Sequence, residues 1–294
     1  MKVKNGQIPN KELSYFFAYG IFRPGEIPFL GIDKYVSQIT KITIKGKLLV
    51  RDGIILIING NENIKGFLLE FKNNQKDKAY DHIVGLEPMD LFAWAEGEFE
   101  TIKFNILTAR KEEKNTRYLD VFFDYPTTKN DPYFIEGIEK LKKYSNSIPD
   151  KFHDNIDHVF DIQMRYLFLW IIFERFLLLR YGFGKHVTPR LKKISEDPIF
   201  KKALIKYVNT DLPNRTVFYA GSGKDSVSLD PKNELDSINY YYKIRNNITH
   251  RGKIEKENDF MIIKNSFIEL LKIVDEIISH YINECHKIED RYKT

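Results

Sequence analysis

Arg245 and His250 stand five residues apart in the run Arg245-Asn246-Asn247-Ile248-Thr249-His250-Arg251-Gly252, with two amides between them. A guanidinium is a permanently charged, forked donor that suits phosphate oxygens. Imidazole is the side chain whose ordinary pKa suits proton transfer near neutrality. Together the two can cleave a phosphodiester without a metal. Successive residues of an ideal helix turn by about 100°, so positions five apart do not share a face. His250 is therefore predicted at or past the end of its helix, swung back toward Arg245, with Gly252 letting the backbone leave in a left-handed conformation.

The elements that must position this pair are helical. From Lys151 onward strand texture disappears, and the spacing predicts a long helix over 154–181 with Ile156, Val159, Phe160, Met164, Leu167, Phe168, Ile171, Ile172, Phe176 and Leu179 inward. The motif helix is predicted over 233–249, with Leu235, Ile238, Tyr242 and Ile248 as its inner stripe. Tyr240, Tyr241 and Tyr242 read as core rather than as base-stacking residues. A last helix covers 260–284, after a charged turn over 253–259. An earlier helix, around Phe134 to Tyr144, opens this domain behind a proline-punctuated joint at Pro126, Pro132 and Pro149. Glu174 falls within the long helix and needs a partner, either near Arg175 or at Arg245, because an unpaired buried charge costs several kcal/mol. Between these helices, Gly182 to Lys206 carries seven basic residues against two acidic ones, which serve either phosphate contacts or solubility.

These residues resemble the Arg-polar-x3-His signature of the HEPN superfamily, with Arg245, Asn246 and His250 in its three places. The resemblance implies an all-α bundle, a metal-independent endoribonuclease activity, RNA as substrate and a homodimer through the helical domain that brings the site together. It also implies a role in a toxin or antiviral-defence system. Arg245, His250 and Asn246 are the candidate catalytic residues, with Glu174 and Asn247 as supporting ones.

The first part of the chain has a different texture. Short β-rich runs broken by turn residues predict strands at Tyr15–Tyr19, Ile42–Val50, Gly53–Ile58, Ile64–Phe71, Thr101–Ala109 and Tyr118–Tyr125. Turns are predicted at Arg51-Asp52-Gly53 and Asn59-Gly60-Asn61, and one short helix at Asp77–Val84. The run Phe16-Phe17-Ala18-Tyr19-Gly20-Ile21-Phe22-Arg23-Pro24-Gly25 resembles the strand-end loop of gamma-glutamylcyclotransferase-like proteins. Leu86-Glu87-Pro88 followed by Phe92 resembles that family's acidic segment. The resemblance implies a small mixed β-barrel, a ligand loop at Tyr19, Gly20, Ile21 and Phe22, and Glu87 as the group that moves the proton while a substrate amine attacks its own gamma-carbonyl. Ile21 replaces a hydroxyl-bearing residue of that pattern, and Pro88 replaces a glycine.

The chain is thus expected to be a two-domain α+β protein: a β-rich domain over 1–127 that binds a small molecule or a protein, and a helical domain over 128–294. At 294 residues it is long enough for both. Its 43% hydrophobic and 30% charged residues describe a globular chain, and its net charge of +5 permits an acidic partner. Cys285, the sole cysteine, excludes an internal disulfide and a cysteine-based zinc cluster. His153 with His158 and His280 with His286 lack the spacing of a zinc-binding helix, so no metal and no cofactor are expected. Gly221-Ser222-Gly223-Lys224-Asp225 fails as a phosphate loop, since Phe218 and Asp225 occupy places that require glycine and a hydroxyl; the surrounding 218–230 reads as a polar loop. The polar N-terminus lacks the apolar stretch of a signal peptide, which predicts a cytoplasmic location. The apolar run from Tyr166 to Phe183 carries Glu174, Arg175 and Arg180 and reads as a core helix, not a membrane span.

Overall fold

The computed structural model describes the chain except residues 1, 7, 52–53, 88–89, 111–116, 119–127, 150–155, 183–185, 213–214, 219–224, 252–256 and 293–294. Several expectations fall outside the described residues. They are the turn at 52–53, most of the strand expected over 118–125, Pro88, Lys185, Gly221 to Lys224, Gly252 and most of the charged turn after it. The fold is mixed α+β with a C-terminal helical region, and its residues cluster into two units. One comprises 1–129 together with 179–184 and 283–294; the other comprises 130–178 and 185–282.

The first unit is built on β1 (Lys2–Gly6), β2 (Tyr15–Ala18), β3 (Val36–Arg51), β4 (Ile54–Phe71), helix α1 (Lys76–Leu86), β5 (Phe92–Phe99), β6 (Ile102–Ala109) and β7 (Arg117–Tyr118). The strands pair in the order β1-β5-β6-β2-β4-β3-β7, antiparallel except for the parallel contact of β2 with β6. Period-two alternation sends neighbours to opposite faces. Phe16, Ala18, Leu69, Phe71, Trp94 and Leu107 join a core with Ala79, Tyr80, Ile83 and Leu86 of α1. Phe17, Tyr19, Leu68, Ala95, Phe104 and Ile106 turn the other way, against Ile42, Ile44, Ile57 and Ile64 of β3 and β4.

Asn59-Gly60-Asn61 is not a turn. It lies inside β4, where the register steps from Ile58 opposite Lys47 to Glu62 opposite Gly46, leaving three residues as a bulge. A Cβ on Gly60 would come within 2.8 Å of the Gly46 carbonyl carbon, so the glycine permits a close backbone approach. The two strands expected over 53–58 and 64–71 are therefore one. β1 and β5 were not anticipated; β5 hides its aromatic alternation, Phe92 and Trp94, among alanines and glutamates.

The second unit holds α2 (Ile138–Ser145), most of α3 (Ile156–Tyr181), α4 (Thr188–Ser195), α5 (Pro198–Tyr207), a hairpin of β8 (Thr216–Phe218) and β9 (Ser226–Ser228), α6 (Glu234–Arg251) and most of α7 (Glu257–Arg291). The hairpin corrects the expectation that this part has no strands and that 218–230 is only a loop. Each of its strands is three residues long with one buried valine, Val217 and Val227, too short a pattern for the period to show.

The inward face of α3 also differs from expectation. Ile162, Tyr166, Leu169, Trp170, Ile172, Phe173, Phe176 and Leu177 are buried, whereas Phe160, Met164 and Ile171 are exposed. The middle of the helix, Tyr166 to Phe173, is apolar without interruption, so the pattern there selects no face. Polar tips help to select it: the Tyr166 hydroxyl donates to the Tyr241 carbonyl at 2.9 Å, and Trp170 lies against Tyr242 with ring centroids 5.5 Å apart. No helix among the described residues is long and apolar enough to cross a membrane.

Candidate functional site

Helix α6 carries the motif. Its core side is Ser237, Ile238, Tyr240, Tyr241 and Ile244, all buried, while Leu235 is exposed and Tyr242 half-buried, which corrects the expected inner stripe. A buried polar network anchors that side. Glu269 of α7 accepts from both terminal nitrogens of Arg215, from the Asn209 amide at 3.0 Å and from the Tyr241 hydroxyl at 3.4 Å. The Tyr240 hydroxyl meets Ser266 at 3.1 Å. Such a network leaves few buried polar atoms unsatisfied and holds the helix in one register.

On the opposite side Asn239, Lys243, Asn246 and His250 follow one another at i, i+4, i+7 and i+11, a polar stripe along the helix. His250 is exposed and lies in the last turn of the helix, one residue before Arg251, at the helix end as expected and not beyond it. Thr249 donates to the Arg245 and Asn246 carbonyls at 3.1 Å each, satisfying main-chain acceptors in the last turn. Arg245 lies at the edge of the buried side and donates to the Asn246 Oδ1 at 3.1 Å. Five residues of helix set Arg245 and His250 about 140° apart around the axis. Asn246 stands between them, tied to Arg245 and one turn before His250. Asn247 donates to the Phe218 carbonyl at 3.1 Å and so holds the β8–β9 hairpin to the motif helix.

Glu174 is not a partner of Arg245. Its carboxylate faces the buried Arg190 of α4, with nitrogen and oxygen 3.5 Å apart. The basic stretch before α6 is partly neutralised in the same way, Lys201 by Glu234 and Lys206 by Glu276.

The first unit brings together two of its expected ligand residues. Glu87 is the residue at which α1 stops, extended at φ −86° and ψ 140°, as a residue preceding proline prefers. It is half-buried, and desolvation pushes its carboxyl from 4.5 up to about 8. Tyr19 is buried and donates to the Leu107 carbonyl at 2.8 Å. Burial raises its hydroxyl pKa, and the nearby Glu87 charge raises it further. Of the other expected loop residues, Phe22 is edge-on to Phe16 in the core on the opposite face from Tyr19, Ile21 packs on that same core, and the space beside Gly20 is open. The loop that follows is fixed by the buried Glu26, which accepts from Arg23 at 3.1 Å and from the Thr128 amide and hydroxyl at 2.9 and 2.8 Å.

Among the described residues no group of three or more His, Cys, Asp and Glu side chains could hold a metal ion. The chain matches no family model, no curated protein and no solved structure.

Proposed function

We propose that the helical unit is a metal-independent endoribonuclease of HEPN type, with RNA as its substrate. The observation that carries this reading is the motif itself in its place on α6. A half-buried Arg245 is tied to Asn246, and an exposed His250 lies one turn beyond on the polar side of a helix locked by the Glu269 network. Arg245 holds the phosphate and its developing charge, and Asn246 keeps the guanidinium oriented. His250 acts either as base on the ribose 2'-hydroxyl or as acid on the leaving 5'-oxygen. The 2'-oxygen bonds to phosphorus as the 5'-oxygen leaves with a proton, giving a 2',3'-cyclic phosphate and a 5'-hydroxyl. The separation of about 140° between Arg245 and His250 around one helix favours a site completed by a second copy. The exposed Phe160, Met164 and Ile171 of α3 supply apolar surface for such a homodimer. A cytoplasmic toxin or antiviral-defence protein, restrained by its first unit, is the setting this chemistry suits. RNA incubated in EDTA with wild-type protein and with His250→Ala tests it: cleavage by the first alone is expected.

A second reading rests on Glu87. A carboxyl pushed up to about 8 beside Tyr19 is poised to exchange a proton near neutrality. With both faces of the sheet buried, the second by residues of the sheet strands and the β2 end, this supports a gamma-glutamylcyclotransferase-like small barrel that binds or cyclises a gamma-glutamyl compound. In that reaction the substrate amine attacks its gamma-carbonyl, Glu87 takes the amine proton and returns it to the departing amine, and 5-oxoproline is formed. Release of 5-oxoproline by wild type and its loss in Glu87→Gln is the test.

A further inference from the structure

Phe218 ends strand β8 and is 51% exposed, in a unit whose other large aromatics are mostly core. Water gains nothing from such a ring, and the neighbouring Val217 is buried as the hairpin packs on α6. What fixes Phe218 is a motif side chain. Asn247 spends its amide donor on the Phe218 carbonyl at 3.1 Å, and its own Oδ1 is buried with no hydrogen-bond partner among the described residues. Asn247 therefore does not serve the Arg245 guanidinium, which is held by Asn246. One turn after Asn247, on the same side of the helix, comes His250. The main chain that carries an exposed aromatic side chain is thus tied through one amide to the side of α6 that carries the proposed acid-base group.

We infer that Phe218 is a base-stacking platform, so that the substrate of the α6 site is single-stranded RNA with an unpaired base lying on this ring. The assignment rests on the ribonuclease reading for its function, though not for its measurement. A flat aromatic face takes any nucleobase, while bases in a duplex are already stacked on one another and offer no free face. The arrangement accounts for why the second amide of the motif faces the hairpin instead of the arginine: it sets where the ring stands relative to His250.

The test uses a fluorescent single-stranded 2'-O-methyl oligonucleotide, which lacks the attacking hydroxyl and so reports binding whether or not His250 cleaves RNA. Phe218→Ala and Phe218→Leu are expected to weaken binding on the order of tenfold, while Phe218→Tyr stays within about twofold of wild type. Asn247→Ala is expected to weaken it in the same direction by freeing the hairpin, and a duplex of the same sequence is expected to bind more weakly than the single strand. Unchanged thermal unfolding of Phe218→Leu separates the effect from a folding defect. Wild-type binding by Phe218→Ala, equal binding by Phe218→Leu and Phe218→Tyr, or no binding by the wild-type protein would overturn the inference. Loss of cleavage in His250→Ala together with wild-type binding by Phe218→Ala would leave the ribonuclease reading standing and remove only this one.

Discussion

Arg245 donates to the Asn246 Oδ1 at 3.1 Å, so the first two residues of the motif act as one unit while His250 stands a turn further along α6. Removing the amide leaves the guanidinium free to sample other rotamers. Asn246→Ala is expected to lower the rate of RNA cleavage by roughly 10–100-fold through lost orientation, with stability changed by no more than about 0.5 kcal/mol. Single-turnover cleavage with a parallel urea titration measures both. Arg245→Lys is expected to be as damaging, because an ammonium lacks the planar fork.

The Glu269 network makes the opposite kind of prediction. Arg215 and Glu269 are both nearly buried, and Glu269 also serves Asn209 and Tyr241. Glu269→Ala strands a buried guanidinium and a tyrosine hydroxyl, at an expected cost of about 3–5 kcal/mol. Urea unfolding should show that loss. Replacing a surface carboxylate such as Glu284, which meets Lys287 of the same helix at 2.7 Å, is expected to cost less than about 1 kcal/mol.

Glu87 gives the first unit a pH dependence. Its carboxyl titrates near 8 when folded and near its ordinary 4.5 when unfolded. Between those values the folded chain holds a proton that the unfolded chain releases, so this stabilising contribution is full below 4.5 and is lost as pH rises through 8. Glu87→Gln cannot ionise and is expected to flatten that limb, leaving the variant more stable than wild type above pH 8 and nearly equal to it at low pH. Thermal unfolding of the two proteins across this range measures the difference.

Much of the architecture is legible from residue spacing alone. The change from β-rich runs before 125 to helical periods after 154 marks the passage from sheet to helices, because periods of two and of 3.6 are opposed signals. Where two causes share one residue type, the pattern misleads. Gly60 reads as a turn yet serves a close approach to Gly46. Phe160, Met164 and Ile171 read as core, yet on a helix whose apolar residues spread over more than one face the choice of face falls to the hydroxyl of Tyr166 and the ring of Trp170. In the site, the types and spacing of Arg245, Asn246 and His250 are plain in the chain. Their place at the end of a helix is legible too, although α6 continues through Arg251, two residues beyond the expected end. The tie from Asn247 to Phe218 joins residues 29 apart through a hairpin too short to announce itself. Glu87 is singled out in the sequence only by its resemblance to an acidic segment, and the core packed around Leu86 at the end of α1 is what shows that it is desolvated.

The central claim is that His250 moves a proton during metal-free RNA cleavage. The most direct measurement is cleavage of single-stranded RNA in EDTA by wild type and by His250→Ala, with the product ends identified. Loss of about 100–10,000-fold in rate is expected for the variant, with 2',3'-cyclic phosphate ends from the wild-type reaction and unchanged thermal stability, since His250 is exposed. Equal rates for the two proteins, or no cleavage by either, would contradict it.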